Sequence, residues 1–360
     1  MKLRFLLVVV PLLFLFGCGI PFNIPAVGPD GTIAVFLDAD RYAFTPDKGS
    51  LALIRDGKVV TVPGVTATGS CGALAWSLDG KEVAFVDTEP DELGFPKAWV
   101  INVAGVQTDS QTVSIARAES PLIAPEFTPE GNITYLGVDD DGNGHLFLYD
   151  RVEDITYSLL DNVLSYRPAR DGESLWVIKR SPEGNLSLGH LLDYDPKSGD
   201  SYEIASFFIG AGVEQMFQMF PGAFFFDVEP NGDHVALTLF DQVLISPEPQ
   251  EGDPSLYLID AEERTVSRIA LHGIAPAFSP DGSKIAYIGS ADGINQGVYL
   301  YDVEAENEEE LSVEGTVSGL FWIDAGHLGL VMREENDEED SYYLLTYDLT
   351  AKETTPLIPG

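Results

Sequence analysis

"FSPDGSKIAYI", Phe278 to Ile288, sets a polar Ser-Pro-Asp-Gly between apolar runs. A catalytic or metal-binding loop usually occurs once in a chain, whereas a structural turn in a repeat protein recurs. This one recurs. Val27-Gly28-Pro29-Asp30-Gly31, Trp76-Ser77-Leu78-Asp79-Gly80, Phe127-Thr128-Pro129-Glu130-Gly131 and Val228-Glu229-Pro230-Asn231-Gly232 each run into a short apolar stretch. Weaker copies end at Gly172 and Gly326. The seven glycines, Gly31 to Gly326, are spaced by 49, 51, 41, 60, 50 and 44 residues. Asp and Asn favour turn geometry, and Gly accepts positive φ without steric cost. The stretch therefore reads as a hairpin turn repeated seven times.

A second signature follows each turn. It is a strand-like run ending in an acid, as in Leu146 to Asp150, Leu191 to Asp195, Leu256 to Asp260, Val298 to Asp302 and Leu344 to Asp348. Trp99 to Asn102 and Leu53 to Asp56 are looser copies. One unit is then strand, tight turn, strand, variable loop, strand, turn, strand. Four-stranded units repeated at about 40 to 50 residues are the mark of an all-β propeller. Seven four-stranded blades are expected; six would also close. The second strand is apolar on both faces (Ile285-Ala286-Tyr287-Ile288), as a sheet between two other sheets requires. Small residues recur in mid-strand (Ala34, Ala84, Thr134, Ala236, Ala286, Gly329), where wedge-shaped blades crowd.

"AWSLDGKEVAFVD" (Ala75 to Asp87) and "AFSPDGSKIAYI" (Ala277 to Ile288), each followed by a strand like "VYLYD", resemble the TolB-type propeller repeat. The resemblance covers nearly all of residues 23–360, in seven imperfect units, and implies fold more than activity. TolB carries a separate domain ahead of its propeller and is soluble in the periplasm. Here the first repeat starts about ten residues after Cys18, so TolB's partner contacts are not carried over.

Residues 1–17 read as a signal peptide: Lys2 and Arg4, an apolar run from Phe5 to Phe16, then Gly17. Leu15-Phe16-Gly17-Cys18 resembles a bacterial lipobox, although Phe16 is larger than that pattern prefers. The resemblance implies lipidation of Cys18, with 18–22 as a short tether and 23–360 as one propeller domain. It implies a bacterial cell-envelope protein, extracytoplasmic and lipid-anchored to a membrane. Cys71 is the only other cysteine, so no disulfide is expected, and it reads as a buried small residue.

Charge narrows the function classes. The 58 acids and 20 bases give −38; without Lys2 and Arg4, 18 bases remain and the charge is −40. Nucleic acid needs a basic footprint and is excluded as a partner. Basic partners, cations or simple solvation are what such a surface favours.

The candidate sites are few. Asp139, Asp141 and Asn143 in "DDDGNGHLFLYD" match the opening of a calcium loop, and equally a solvated hairpin turn. Calcium is thus the one cofactor in view. The five histidines are spread at one or fewer per blade, with no G-x-S-x-G or H-E-x-x-H motif. Val213, Met216, Phe217 and Phe220 fall at i, i+3, i+4 and i+7, the spacing of a short amphipathic helix. Its stripe either plugs the channel mouth or forms a contact patch for a partner. The expectation is a monomeric protein-binding or scaffold module with an envelope protein as partner. A hydrolase or lyase with a carboxylate or cation site in the channel, and a sugar- or peptide-binding lipoprotein, are the alternatives.

Overall fold

A computed structural model describes residues 24–38, 49–67, 74–93, 96–107, 111–140, 142–169, 172, 174–183, 186–209, 226–240, 254–290, 296–335 and 340–358. Cys18 and the segment 18–22, Cys71, Asp141, and Val213, Met216, Phe217 and Phe220 lie outside the described residues.

Seven four-stranded antiparallel sheets form in strict sequence order. The first blade is Ala26–Val27, Ile33–Leu37, Gly49–Arg55 and Lys58–Ala67. The others span 75–118, 122–161, 163–209, 226–271, 274–311 and 316–356. Each sheet keeps its four strands in chain order, first strand innermost. This is the expected β-propeller, with seven blades rather than six.

Among the described residues no strand is exchanged to close the ring, because the first and last blades each pair only with themselves. Closure comes from packing. Ile33, Val35 and Leu37 of the first blade meet Phe321, Val331 and Leu344 of the seventh. The second strands lie between neighbouring blades and are buried on both faces. All five residues of Ile33–Leu37 and all six of Ile133–Val138 are buried. Phe36 and Phe85 meet edge to face across the first blade junction, ring centroids 5.4 Å apart. Each such side chain contributes about 1.5–3 kcal/mol by burial, which is how the first and seventh blades hold together without an exchanged strand among the described residues.

The repeated turn is built identically in six blades. The glycine N–H donates to the carbonyl three residues earlier: Gly31 to Gly28 (2.9 Å), Gly80 to Ser77 (2.9 Å), Gly282 to Ser279 (2.9 Å). All six glycines have positive φ, from +67° at Gly80 to +83° at Gly131. The turn acid ties the hairpin together locally. Asp281 Oδ1 accepts from Ser279 Oγ (2.6 Å) and Ser283 N–H (3.1 Å). Asp79 does the same with Ser77 Oγ and Lys81 N–H. Hydrogen bonds from Lys81 and Ser77 hold the Asp79 carboxyl down at about 2. The seventh copy differs. Asp324 pairs directly with His327, so Ala325-Gly326 is a shorter two-residue connection.

The acid at the end of the third strand in blades three to seven is also structural. Asp150 accepts from Val152 and Glu153 N–H, Asp195 from Lys197 and Ser198, and Asp348 from Thr350 and Ala351. Four residues after the acid the chain turns left-handed, at Asp154, Arg264, Glu306 and Lys352. In the fourth blade this position is Gly199.

Candidate functional site in the central channel

The residue five positions before each turn glycine sits on the innermost strand. In chain order it is Ala26, Ala75, Glu126, Arg167, Asp227, Ala277 and Phe321. Each is paired directly across the ladder with the mid-strand residue of the second strand: Ala34, Ala84, Thr134, Trp176, Ala236, Ala286 and Gly329. Cross-strand partners share a face of the sheet. Here that face looks to the next blade: Trp176 packs with Phe226, Val235 and Leu237, and Ala286 with Leu320 and Trp322. The expected small residues are found buried there, and Trp176 in the fourth blade is the exception.

At four blades this position is apolar. Trp76 Nε1 donates to the Ala26 carbonyl of the preceding blade (3.0 Å), and Trp322 Nε1 to that of Ala277 (2.9 Å). Phe321 fills the space that Gly329 leaves, and a Cβ at Gly329 would lie inside the contact distance of the ring.

At three consecutive blades the same position is charged. Glu126 and Asp227 each reach the next blade. Arg167 Nη1 donates to Glu126 Oε1 (3.2 Å), and Phe278 N–H donates to Asp227 Oδ2 (2.8 Å). Arg167 also attracts Asp227. Arg167 and Glu126 keep 26% and 22% of their side-chain surface exposed. Burial raises the Glu126 carboxyl above the usual range, against the pull of Arg167, and Asp227 adds to the rise. Burial raises Asp227 too, against Arg167 and the N–H groups of Phe278 and Val228. Two carboxylates thus share one guanidinium.

The innermost strands and the tight turns enclose a cavity of about 910 Å³. Arg167 and Asp227 line it, whereas Glu126 stands behind Arg167. Toward the turns, Glu229 and Asp324 also line it, bonded to His234 (2.7 Å) and His327 (2.9 Å). Ala124 and Ala275, both lining residues, have φ of +48° and +53° beside register shifts of the innermost strand. These bulges bend the strand where it borders the channel.

Asp139 and Asn143, two of the residues expected to hold calcium, sit elsewhere, between the second and third strands of the third blade. Asp139 Oδ1 accepts the Asn143 N–H (2.8 Å), and Asp139 Oδ2 lies 3.2 Å from His145 Nε2. His145 Nδ1 lies 2.8 Å from Asp161, whose hydrogen bond raises the imidazole above its ordinary value. Arg180 of the next blade donates to Asn143 Oδ1. A cation here would compete with these donors. Among the described residues no three His, Cys, Asp or Glu side chains converge as metal ligands. Four of the five histidines pair with carboxylates on their own blade.

Glu126, Arg167 and Asp227 escape a reading of motifs because each belongs to a different repeat. The available signal is the substitution of three charges for alanine at one register position.

No family model matches the chain, and no curated protein matches it. Solved structures do. The β-propeller domain of the Trilobed protease from Pyrococcus furiosus, described as having an open velcro topology, is 14% identical. The match has a TM-score of 0.53 and covers 80% of this chain and 84% of that one. An oligogalacturonate lyase from Vibrio parahaemolyticus is 14% identical, with a TM-score of 0.54 over 92% and 86% of the two chains. TolB from Acinetobacter baumannii is 15% identical at a TM-score of 0.49, over 76% of this chain and 63% of that TolB. The repeats and the first two of these structures agree on a β-propeller. At such identities it is the fold that is shared.

Proposed function

We propose that this protein is a lipid-anchored, extracytoplasmic binding module of the bacterial cell envelope that acts as a monomer and takes part of an envelope protein into its central channel. The observation that carries the reading is the cavity itself. It is concave, about 910 Å³, mostly apolar, and has a few convergent polar groups with perturbed acidity. Such a pocket is the default binding site of a fold that carries no motif for chemistry. The leader and the lipobox-like Leu15 to Cys18 support the location. A lipid chain contributes about 0.8 kcal/mol per buried CH₂, so two or more chains hold a soluble ring at a membrane.

In-cell photocrosslinking tests the binding role. A photoreactive residue at Leu78, on the cavity rim and 62% exposed, should capture one stoichiometric protein. The same residue at Val266, on an outer strand and 52% exposed, should not. Equal capture at both positions, or none at Leu78, overturns the reading. Cys18→Ser should abolish labelling by fatty acid; persistent labelling removes the anchor.

A further inference from the structure

We infer that the channel recognises an organic cation, an ammonium or guanidinium group carried on an apolar stem, seated against Asp227. This rests on the binding role proposed above and names the chemistry of its ligand.

Charge balance leads to it. Among the described residues, four charged side chains line the cavity: Arg167, Asp227, Glu229 and Asp324. Arg167 is answered from behind by Glu126 (3.2 Å). Glu229 and Asp324 lie toward the turns, each hydrogen-bonded to a histidine of its own hairpin, His234 (2.7 Å) and His327 (2.9 Å). Asp227 has no cation of its own among the described residues. It holds N–H donors from Phe278 and Val228 and competes with Glu126 for Arg167. An ionised carboxylate offers about four acceptor sites, so beyond these two donors, counted among the described residues, there is room for more. A carboxylate held with too little compensating charge costs free energy, and an arriving cation offsets that cost. An anion would meet the reverse: Arg167 is already engaged, and three carboxylates face the same space.

The walls specify the rest of the ligand. Ala26, Phe226, Ala277 and Phe321 line the cavity, and the indole N–H groups of Trp76 and Trp322 are committed to backbone carbonyls. The lining offers apolar surface for a stem and, on the innermost strands away from the turn carboxylates, one anionic point for a head. Arg167 repels a cation from its own side, which leaves the head on the Asp227 side. A free amine and a basic side chain of an inserted polypeptide share this chemistry.

Calorimetric titration of the detergent-solubilised full chain at low salt tests it with three probes: 1,5-diaminopentane, an end-blocked Leu-Lys-Leu peptide, and its neutral Leu-Gln-Leu counterpart. At least one cationic probe should bind about tenfold or more tighter than the neutral peptide. Asp227→Asn should remove that preference and Asp227→Glu should retain it, with melting curves checking the fold. The comparison of probes on the unmutated protein stands even if a variant fails to fold. Binding of the diamine alone assigns a small amine, and binding of the peptide alone assigns a polypeptide. Binding of both assigns the shared head group. Binding of both Leu-Lys-Leu and Leu-Gln-Leu with equal affinity, no binding of either cationic probe, or an unchanged preference in Asp227→Asn overturns the inference. If a partner is still captured at Leu78 while the probes fail, the cation falls and the binding role stands.

Discussion

Blades six, seven, one and two differ from blades three, four and five at a single register position. In the first group the innermost strand sets Ala277, Phe321, Ala26 and Ala75 against Ala286, Gly329, Ala34 and Ala84. In the second it sets Glu126, Arg167 and Asp227 against Thr134, Trp176 and Ala236. The backbone pairing is the same. What differs is how one blade holds the next. The apolar group uses close packing and indole-to-carbonyl hydrogen bonds. The charged group uses polar contacts between blades: Glu126 accepts from Arg167, Asp227 accepts from the Phe278 N–H, and Arg167 attracts Asp227 across the junction between them. A repeat thus keeps its fold while one arc of its inner wall is free to carry charge.

The strongest way to break this comparison is to remove the shared cation. Arg167→Met should destabilise the protein by about 3 kcal/mol or more in urea denaturation, because it strands the inner carboxylates. Adding Glu126→Gln should recover a large part of the loss. If the second substitution recovers nothing, Arg167 contributes by packing against Trp176 and not by charge.

Overpacking the apolar arc should cost less. Gly329→Ala places a methyl group inside the Phe321 ring and should cost about 1–3 kcal/mol. Phe321→Leu in the same chain should relieve it. An additive pair of losses would show that the ring and Gly329 do not share a space.

Acidity separates the inner arc from the outer turns without a size estimate. Glu126 and Asp227 are raised in the folded state, so the stability they contribute is complete below the ordinary carboxylate values. It is lost as pH rises through their folded values. The turn carboxyls, such as Asp79 at about 2 and the lowered Asp281 and Asp302, act oppositely. Their contribution is present above the ordinary value and is lost as pH falls through the folded one. Glu126→Gln with Asp227→Asn should therefore flatten the decline of stability from mildly acidic to neutral pH and leave the strongly acidic limb unchanged. Parallel curves for wild type and variant across the whole range would mean that the inner carboxyls do not titrate differently on unfolding.

The smallest effect expected lies on the outer turns. Lys352 and Glu306 adopt left-handed φ of 56° and 50° where the fourth blade uses Gly199. Glu306→Gly should stabilise by about 0.5 kcal/mol, the left-handed strain of a side chain less the added freedom of the unfolded chain. Lys352→Gly also removes the ion pair to Glu309 of the preceding blade, so it should gain less. Equal gains at both sites would mean that this exposed pair contributes nothing.

The hairpin turn, the four-strand unit and the sevenfold count are legible along the chain, because each rests on residues adjacent in sequence. Gly31 accepts its φ and Asp281 its hydrogen bonds from atoms two or three residues away. The acid at the end of the third strand in blades three to seven is legible as a repeat too, and its role as acceptor in the following turn is equally local. The two-residue form of the seventh turn and the large Trp176 in a small-residue position are not, since both answer to neighbouring strands. The charged arc lies further still from local rules. Glu126, Arg167 and Asp227 are 41 and 60 residues apart. Sequence alone determined which residue stands at each repeat position; the stacking of consecutive blades decided that Glu126 meets Arg167 and Asp227 meets the Phe278 N–H, because only adjacent blades bring their innermost strands within reach of one another. The depth of the channel then decided their acidity, since burial inside the ring, and not residue type, raises the carboxyls that the same residues on the outer turns hold low.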